Sequence, residues 1–238
     1  MPWTFYNSNG QRLSSAATNI SVLDIDGATD IGAAIADEDL FIIDDNASGT
    51  NRKTEASRLK TYVGAGALAF VGKATASDSS TLTVTGIDGT YENYLILGSD
   101  LVPATDHRQF QLTFGDSGGL DTGASDYQYH KSEAGSGSTG YGTARVDTAE
   151  NHIELGNKVG NAAGEGLGFT LWLNMPGNGT MFATVHGTHV EWDKDGALIG
   201  GLLIGARVAV ISLTQISIKL NAGNIGTGEL SVYGVRNA

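Results

Sequence analysis

The 238-residue chain has no cysteine and only three prolines. Without cysteine it cannot be a disulfide-stapled secreted scaffold, and thiol nucleophiles and thiolate metal centres are excluded. Folding in a reducing cytoplasm, followed by exposure outside the cell, remains open to it. Charge is also scarce. Asp, Glu, Lys and Arg make up 17%, below the roughly 25% of an ordinary globular chain, so other residues must face water. Basic residues are the scarcer kind, 14 against 26 acidic, for a net charge of −12. Such a surface repels phosphate backbones and anionic lipid headgroups, so no nucleic-acid partner is expected. No apolar run approaches the length of a spanning helix, so no membrane insertion is expected. Met1-Pro2-Trp3-Thr4-Phe5-Tyr6 lacks the basic and apolar segments of a signal peptide. Any route out of the cell would then be lysis or assembly.

What fills the chain is glycine, 34 residues or about twice the usual share, together with Ser and Thr. Helix formers thin out after about residue 65, and the composition reads as β. In the first 63 residues, Trp3–Tyr6 and Gln11–Leu13 around Asn9-Gly10 read as a small hairpin. Leu40-Phe41-Ile42-Ile43 closes in the turn signal Asp44–Gly49, with a return strand at Thr50–Lys53. Thr54 then reads as an N-cap before an amphipathic helix over Glu55–Val63. These pieces are too short and weakly apolar to bury a core alone, which predicts association with copies or a neighbour. Trp3, Phe5, Leu40, Phe41, Ile42, Leu59 and Tyr62 are the expected oligomerisation and anchoring residues. The small residues from Gly64 to Ala74 read as a linker.

From residue 75 to 238 about ten short strands follow one another between turns such as Asp116–Gly119, Pro176–Gly179 and Asp193–Gly196. Period-two alternation is plain in Leu82–Thr85 and Ile211–Ile218. Thr180–Trp192 is expected to break near Gly187, and Ala209–Leu220 reads as one strand. The fold class predicted is mainly β, a jelly-roll-like β-sandwich preceded by a small α+β module.

Asp24-Ile25-Asp26-Gly27, Asp39–Asp45, Gly49–Thr54 and Leu59–Val63 together resemble a module near the start of bacteriophage tail-fibre and related virion proteins. Tyr91–Leu97, Phe114–Gly119, Tyr127-Gln128-Tyr129, Leu171–Pro176 and the closing Gly223–Gly234 resemble phage fibre or decoration jelly rolls. The resemblance implies a homotrimer that contacts other virion proteins, is made in the host cytoplasm and sits on the virion surface. A host glycan is a further partner it brings into view.

Candidate chemistry is sparse. Gly72-Lys73 lacks the first glycine of a phosphate loop, since Ala67 stands there, and Ala74 replaces the magnesium-binding hydroxyl. Asp24, Asp26 and Asp30 lack the closing glutamate of a calcium loop. His189, Glu191 and Asp193 share one strand side with His186 opposite. They read as a solvent-facing side, because ligands spaced by two point parallel and do not converge on a metal. The acids at Asp100, Asp106, Asp116, Asp121, Asp126 and Glu133 fall mostly in turn-like stretches and do not assemble a hydrolase pair. No enzyme, no cofactor and no metal is therefore expected. For binding, the Gly- and Ser-rich stretch from Asp116 to Thr143 offers Tyr127, Tyr129, His130 and Tyr141. Tyr127 and Tyr129 read at least as well as packed strand residues. The alternative to a structural role is thus a carbohydrate-recognition domain, with a polysaccharide depolymerase behind it.

Overall fold

The computed structural model describes residues 5–6, 12–13, 32–44, 51–63, 66–136, 144–177 and 179–236. The chain divides into two units, residues 1–64 and 65–238.

In the first unit β1 (Phe5–Tyr6) pairs antiparallel with β2 (Arg12–Leu13), and β3 (Leu40–Asp44) with β4 (Asn51–Glu55). Helix α1 (Ala56–Val63) follows β4 without a gap. Its start needs no side-chain cap, because backbone carbonyls take the first amides. Ala56 N–H donates to Asp39 O at 2.8 Å and Ser57 N–H to Asp37 O at 3.2 Å. Thr54, expected as that cap, lies in β4 and is buried. Of the expected oligomerisation residues, Leu40 and Ile42 share one side of the β3–β4 ribbon and are 58% and 60% exposed. Phe41 and Leu59 are half-buried. Phe5 lies in β1 and Tyr62 in α1, while Trp3 falls outside the described residues.

The second unit is all β. Its strands are β5 (Leu68–Thr75), β6 (Thr81–Thr85), β7 (Asn93–Pro103), β8 (Arg108–Asp116), β9 (Gly119–Leu120), β10 (Tyr127–Gly135), β11 (Ala144–Glu150), β12 (Ile153–Val159), β13 (Gly166–Asn174), β14 (Thr184–Trp192), β15 (Leu198–Arg207), β16 (Gln215–Leu220) and β17 (Ile225–Val235). An eight-stranded sheet runs β11-β10-β15-β14-β13-β7-β17-β5, and a five-stranded one runs β12-β8-β16-β6 with β9 beside β8. Every pairing is antiparallel.

One apolar cluster unites side chains of both sheets. Tyr94, Ile96, Leu171 and Val232 come from the larger, and Leu112, Phe114, Ile216 and Ile218 from the smaller. This is a β-sandwich. Tyr94 is anchored through its hydroxyl, which accepts from Asp88 N–H at 3.0 Å. Burial raises that phenol to about 12.

Three expectations are corrected here. The stretch from Gly64 to Ala74 is not all linker: Leu68–Thr75 is the edge strand β5, paired with β17 from Thr75↔Glu229 to Leu68↔Val235. The strand expected to break near Gly187 runs through it as β14, because the glycine lets the backbones close up. A Cβ there would stand 2.0 Å from Thr170 O. Of Ala209–Leu220, only Gln215–Leu220 is strand; Leu213 N–H and Thr214 N–H instead bond Pro176 O and Gly115 O.

Candidate functional site

The larger sheet is unusual at the end formed by β10, β14 and β15. Its inward side, the side that ought to be greasy, carries ionisable groups. β10 turns Tyr127, Tyr129, Lys131 and Glu133 inward, and β14 turns His189 and Glu191 inward, ahead of Asp193. The Lys131 side chain is 0% exposed, and its ammonium lies 2.6 Å from Glu133 and 3.2 Å from Glu154 of β12. Arg145 of β11 takes the other oxygen of Glu154 at 2.6 Å and also pairs with Asp147. His189 Nε2 meets Glu133 Oε1 at 2.8 Å. Lys131, Glu133, Glu154 and Arg145 thus each have an opposite partner, the condition under which a charge is tolerated in a core.

Two carboxyls in this network are tuned in opposite directions. Burial alone would raise Glu133, but its hydrogen bond to His189 and the charge of Lys131 hold it down at about 2. Glu191 is farther from compensation. Burial pushes it up to about 7 against the pull of Lys131, and its carboxyl accepts from Asn157 N–H at 3.2 Å. Glu133 and Glu154 form a carboxylate pair of the kind the sequence did not assemble. Both are locked onto one lysine, and the side chains of Lys131, Glu133 and Glu154 are 0%, 14% and 1% exposed. The arrangement bridges the sheets, with Lys131 in the larger and Glu154 in the smaller.

His189, Glu191 and Asp193 thus share a strand side as expected, but it is the inward side, contrary to the solvent-facing reading. They do not converge. Asp193 spends its carboxylate on Asp195 N–H (2.9 Å) and Ala197 N–H (2.7 Å) in the β14–β15 turn. No group of three or more metal-ligating side chains forms among the described residues.

The opposite side of the same sheet is equally unusual. The outward positions of β10, β15, β14 and β13 carry no Asp, Glu, Lys or Arg at all. Leu202, Ile204 and Val190 are 60%, 57% and 48% exposed there, with Trp192, Leu198 and Trp172 close behind. No family model, curated protein or solved structure matches this chain. What the molecule does must therefore be read from these two faces.

The expected ligand-binding residues scatter. Tyr127 and Tyr129 are buried, which corrects their reading as binding residues. The Tyr127 hydroxyl accepts from Phe114 N–H at 2.7 Å, and Arg207 lies over its ring. Arg207 also pairs with Asp121 at 2.8 Å and Asp126 at 3.2 Å, which pins the loop before β10. His130 does face outward, half-buried between Ile204 and Val146 of the adjoining strands. Tyr141 lies outside the described residues. Lys131, Glu154 and Arg145 were missed by the sequence reading, because no spacing links positions on three strands. The surface tryptophans were missed as well, although the alternation of β14 was the signal that could have found Trp192.

Proposed function

We propose that the chain is a non-catalytic structural subunit of a bacteriophage particle, a homotrimeric fibre or decoration protein. Residues 1–63 serve as its anchoring and oligomerisation module, and the sandwich is of the jelly-roll type and displayed outward. Support for the sandwich part comes from connectivity: chain-consecutive strands from β5 to β8 pass back and forth between the two sheets, and β17 inserts between β5 and β7. The N-terminal part is supported by the exposed apolar side of β3, where Leu40 and Ile42 point away from their own unit.

The observation that carries the reading is the uncharged outward face of β10 and β15, with Leu202 and Ile204 its most exposed apolar side chains. A chain of net charge −12 repels its own copies except where charge has been removed. Interface cores are depleted of charged residues in the same way. The ionised network points the same way, because its charges are consumed inside and leave no open pair of catalytic groups. The partners proposed are copies of this chain and other virion proteins, with no cofactor, and the location is the virion surface.

Light scattering on the full chain at micromolar concentration is expected to give a mass near three chains, and antibodies raised against it are expected to decorate purified particles. A well-folded monomer would remove the trimer. Particles that stay bare would remove the virion assignment.

A further inference from the structure

Gly168 lies in the middle of β13, opposite Val190 of β14, and its neighbour Thr170 faces Leu97 of β7 and Thr188 of β14. The missing side chain leaves an open trough across the three strands. It consists of two adjoining hollows of about 400 and 340 Å³ that share Gly168 and Val190, each within the roughly 300–1,000 Å³ of small-ligand clefts. Glycine inside a strand weakens it, and often marks a place where a ligand comes close. The fold itself makes no demand for glycine at this position. A Cβ on Gly168 would meet nothing nearer than Gly98 O at 3.7 Å, and its φ lies outside the left-handed region.

The walls carry a particular chemistry. Trp192 stands at one end, 42% exposed, and Trp172 lies farther along the same face, 37% exposed. Trp192 pairs with Gly166, so the two indoles are six residues apart along β13, roughly 20 Å. Between them lie the hydroxyls of Ser99, Thr170 and Thr188. At the Trp192 end the rim carries Thr227 and two carboxylates, Asp100 and Glu165. Glu165 accepts from Ala162 N–H at 2.8 Å. Asp100 makes no side-chain hydrogen bond or ion pair among the described residues, and its backbone is held at φ 51°, a conformation uncommon outside glycine that clusters at ligand sites.

We propose that this trough binds an extended, uncharged saccharide chain. Indole faces stack on the C–H faces of sugar rings, while carboxylates and hydroxyls take up the ring hydroxyls. Two carboxylates without a neighbouring cation in the trough reject anionic polymers. The spacing of the indoles suits a linear oligomer over a compact ligand. The inference goes beyond the assembly reading: the trough lies on β7, β13 and β14, beside the β10–β15 face read as the contact, so either can fail alone.

The test uses the full chain with cellohexaose, maltohexaose and chitohexaose at millimolar concentration, read by tryptophan fluorescence and by saturation-transfer NMR. At least one hexasaccharide is expected to bind. Affinity is expected to fall about tenfold or more in Gly168→Leu, which fills the trough, and in Trp192→Ala, which removes its wall, with melting temperature and oligomer mass unchanged. Silence from all three sugars overturns the proposal, as does undiminished binding in both variants. So does binding of an oligolysine peptide with no saccharide response, which would make the rim a docking site for a cationic segment.

Discussion

The two sides of β10, β14 and β15 invert the usual distribution of charge. Alternation in an antiparallel sheet ordinarily sends apolar residues in and charged residues out. Here Lys131, Glu133, His189, Glu191 and Arg207 point in, while Leu198, Leu202, Ile204, Val190 and Trp192 point out. Elsewhere in the sandwich the ordinary rule holds: β7 buries Tyr94, Ile96 and Leu101 and shows Ser99 and Asp100 to water. The inverted end teaches that charge was moved, not lost. The charges taken from the outer side reappear inside, where Lys131 of the larger sheet meets Glu154 of the smaller.

The largest effect should come from breaking the inner side. Lys131→Met leaves Glu133 and Glu154 buried without their shared cation, which is expected to cost on the order of 3–5 kcal/mol in chemical denaturation. If stability is unchanged, the network is not what holds the sheets together.

A smaller effect attaches to Glu191. Its folded pKa of about 7 lies above its ordinary 4.5, so the folded chain keeps a proton that the unfolded chain releases. Stability from this group is therefore fully present below about pH 4.5 and is lost as pH rises through 7. Glu133, held at about 2, behaves in the opposite sense, and its contribution disappears only as pH falls from 4.5 toward 2. Glu191→Gln should abolish the decline between pH 4.5 and 7 and leave the variant more stable than the parent at pH 8, on the order of 2–3 kcal/mol. Parallel pH profiles for the two proteins would show that this carboxyl is not held neutral by burial.

The smallest effect on stability belongs to the outer side. Leu202→Glu with Ile204→Glu should change the unfolding free energy of the single chain by no more than about 0.5 kcal/mol per site, because both side chains are mostly exposed there. The same pair should lower the mass seen by light scattering. A double variant that keeps the parent's mass would remove this face from assembly.

Much of the fold was legible, since a strand buried on one side repeats every two residues wherever its two sides differ. Leu82–Thr85, Phe110–Gly115 and Leu198–Ile204 all fall within observed strands. The turns at Asp116–Gly119 and Asp193–Gly196 lie where their Gly, Asp and Ser content placed them. Where the pattern is absent, reading failed. Leu68–Thr75 pairs on one side only, with β17, and buries just Ala69 fully, so it passed for linker. Ala144–Glu150 shows no buried alternation, since five of the seven residues of that edge strand are exposed and none is buried.

The candidate site failed for a different reason. Period two says which residues share a side, but hydropathy alone decides which side faces in. At β14 that assumption put His189, Glu191 and Asp193 in water, when it is Trp192 and Val190 that lie outside. Partnering across three strands, as in Lys131 with Glu154, has no signature along the chain.

In the second unit Leu68 lies opposite Val235, and Arg236 N–H donates to Ala67 O at 2.9 Å. Its first and last strands are thus bonded neighbours, and the order of the thirteen strands from β5 to β17 closes on itself like beads on a ring. A short splice across that seam, with the chain reopened at the Asp195-Gly196 bend, would leave every ladder of both sheets in place.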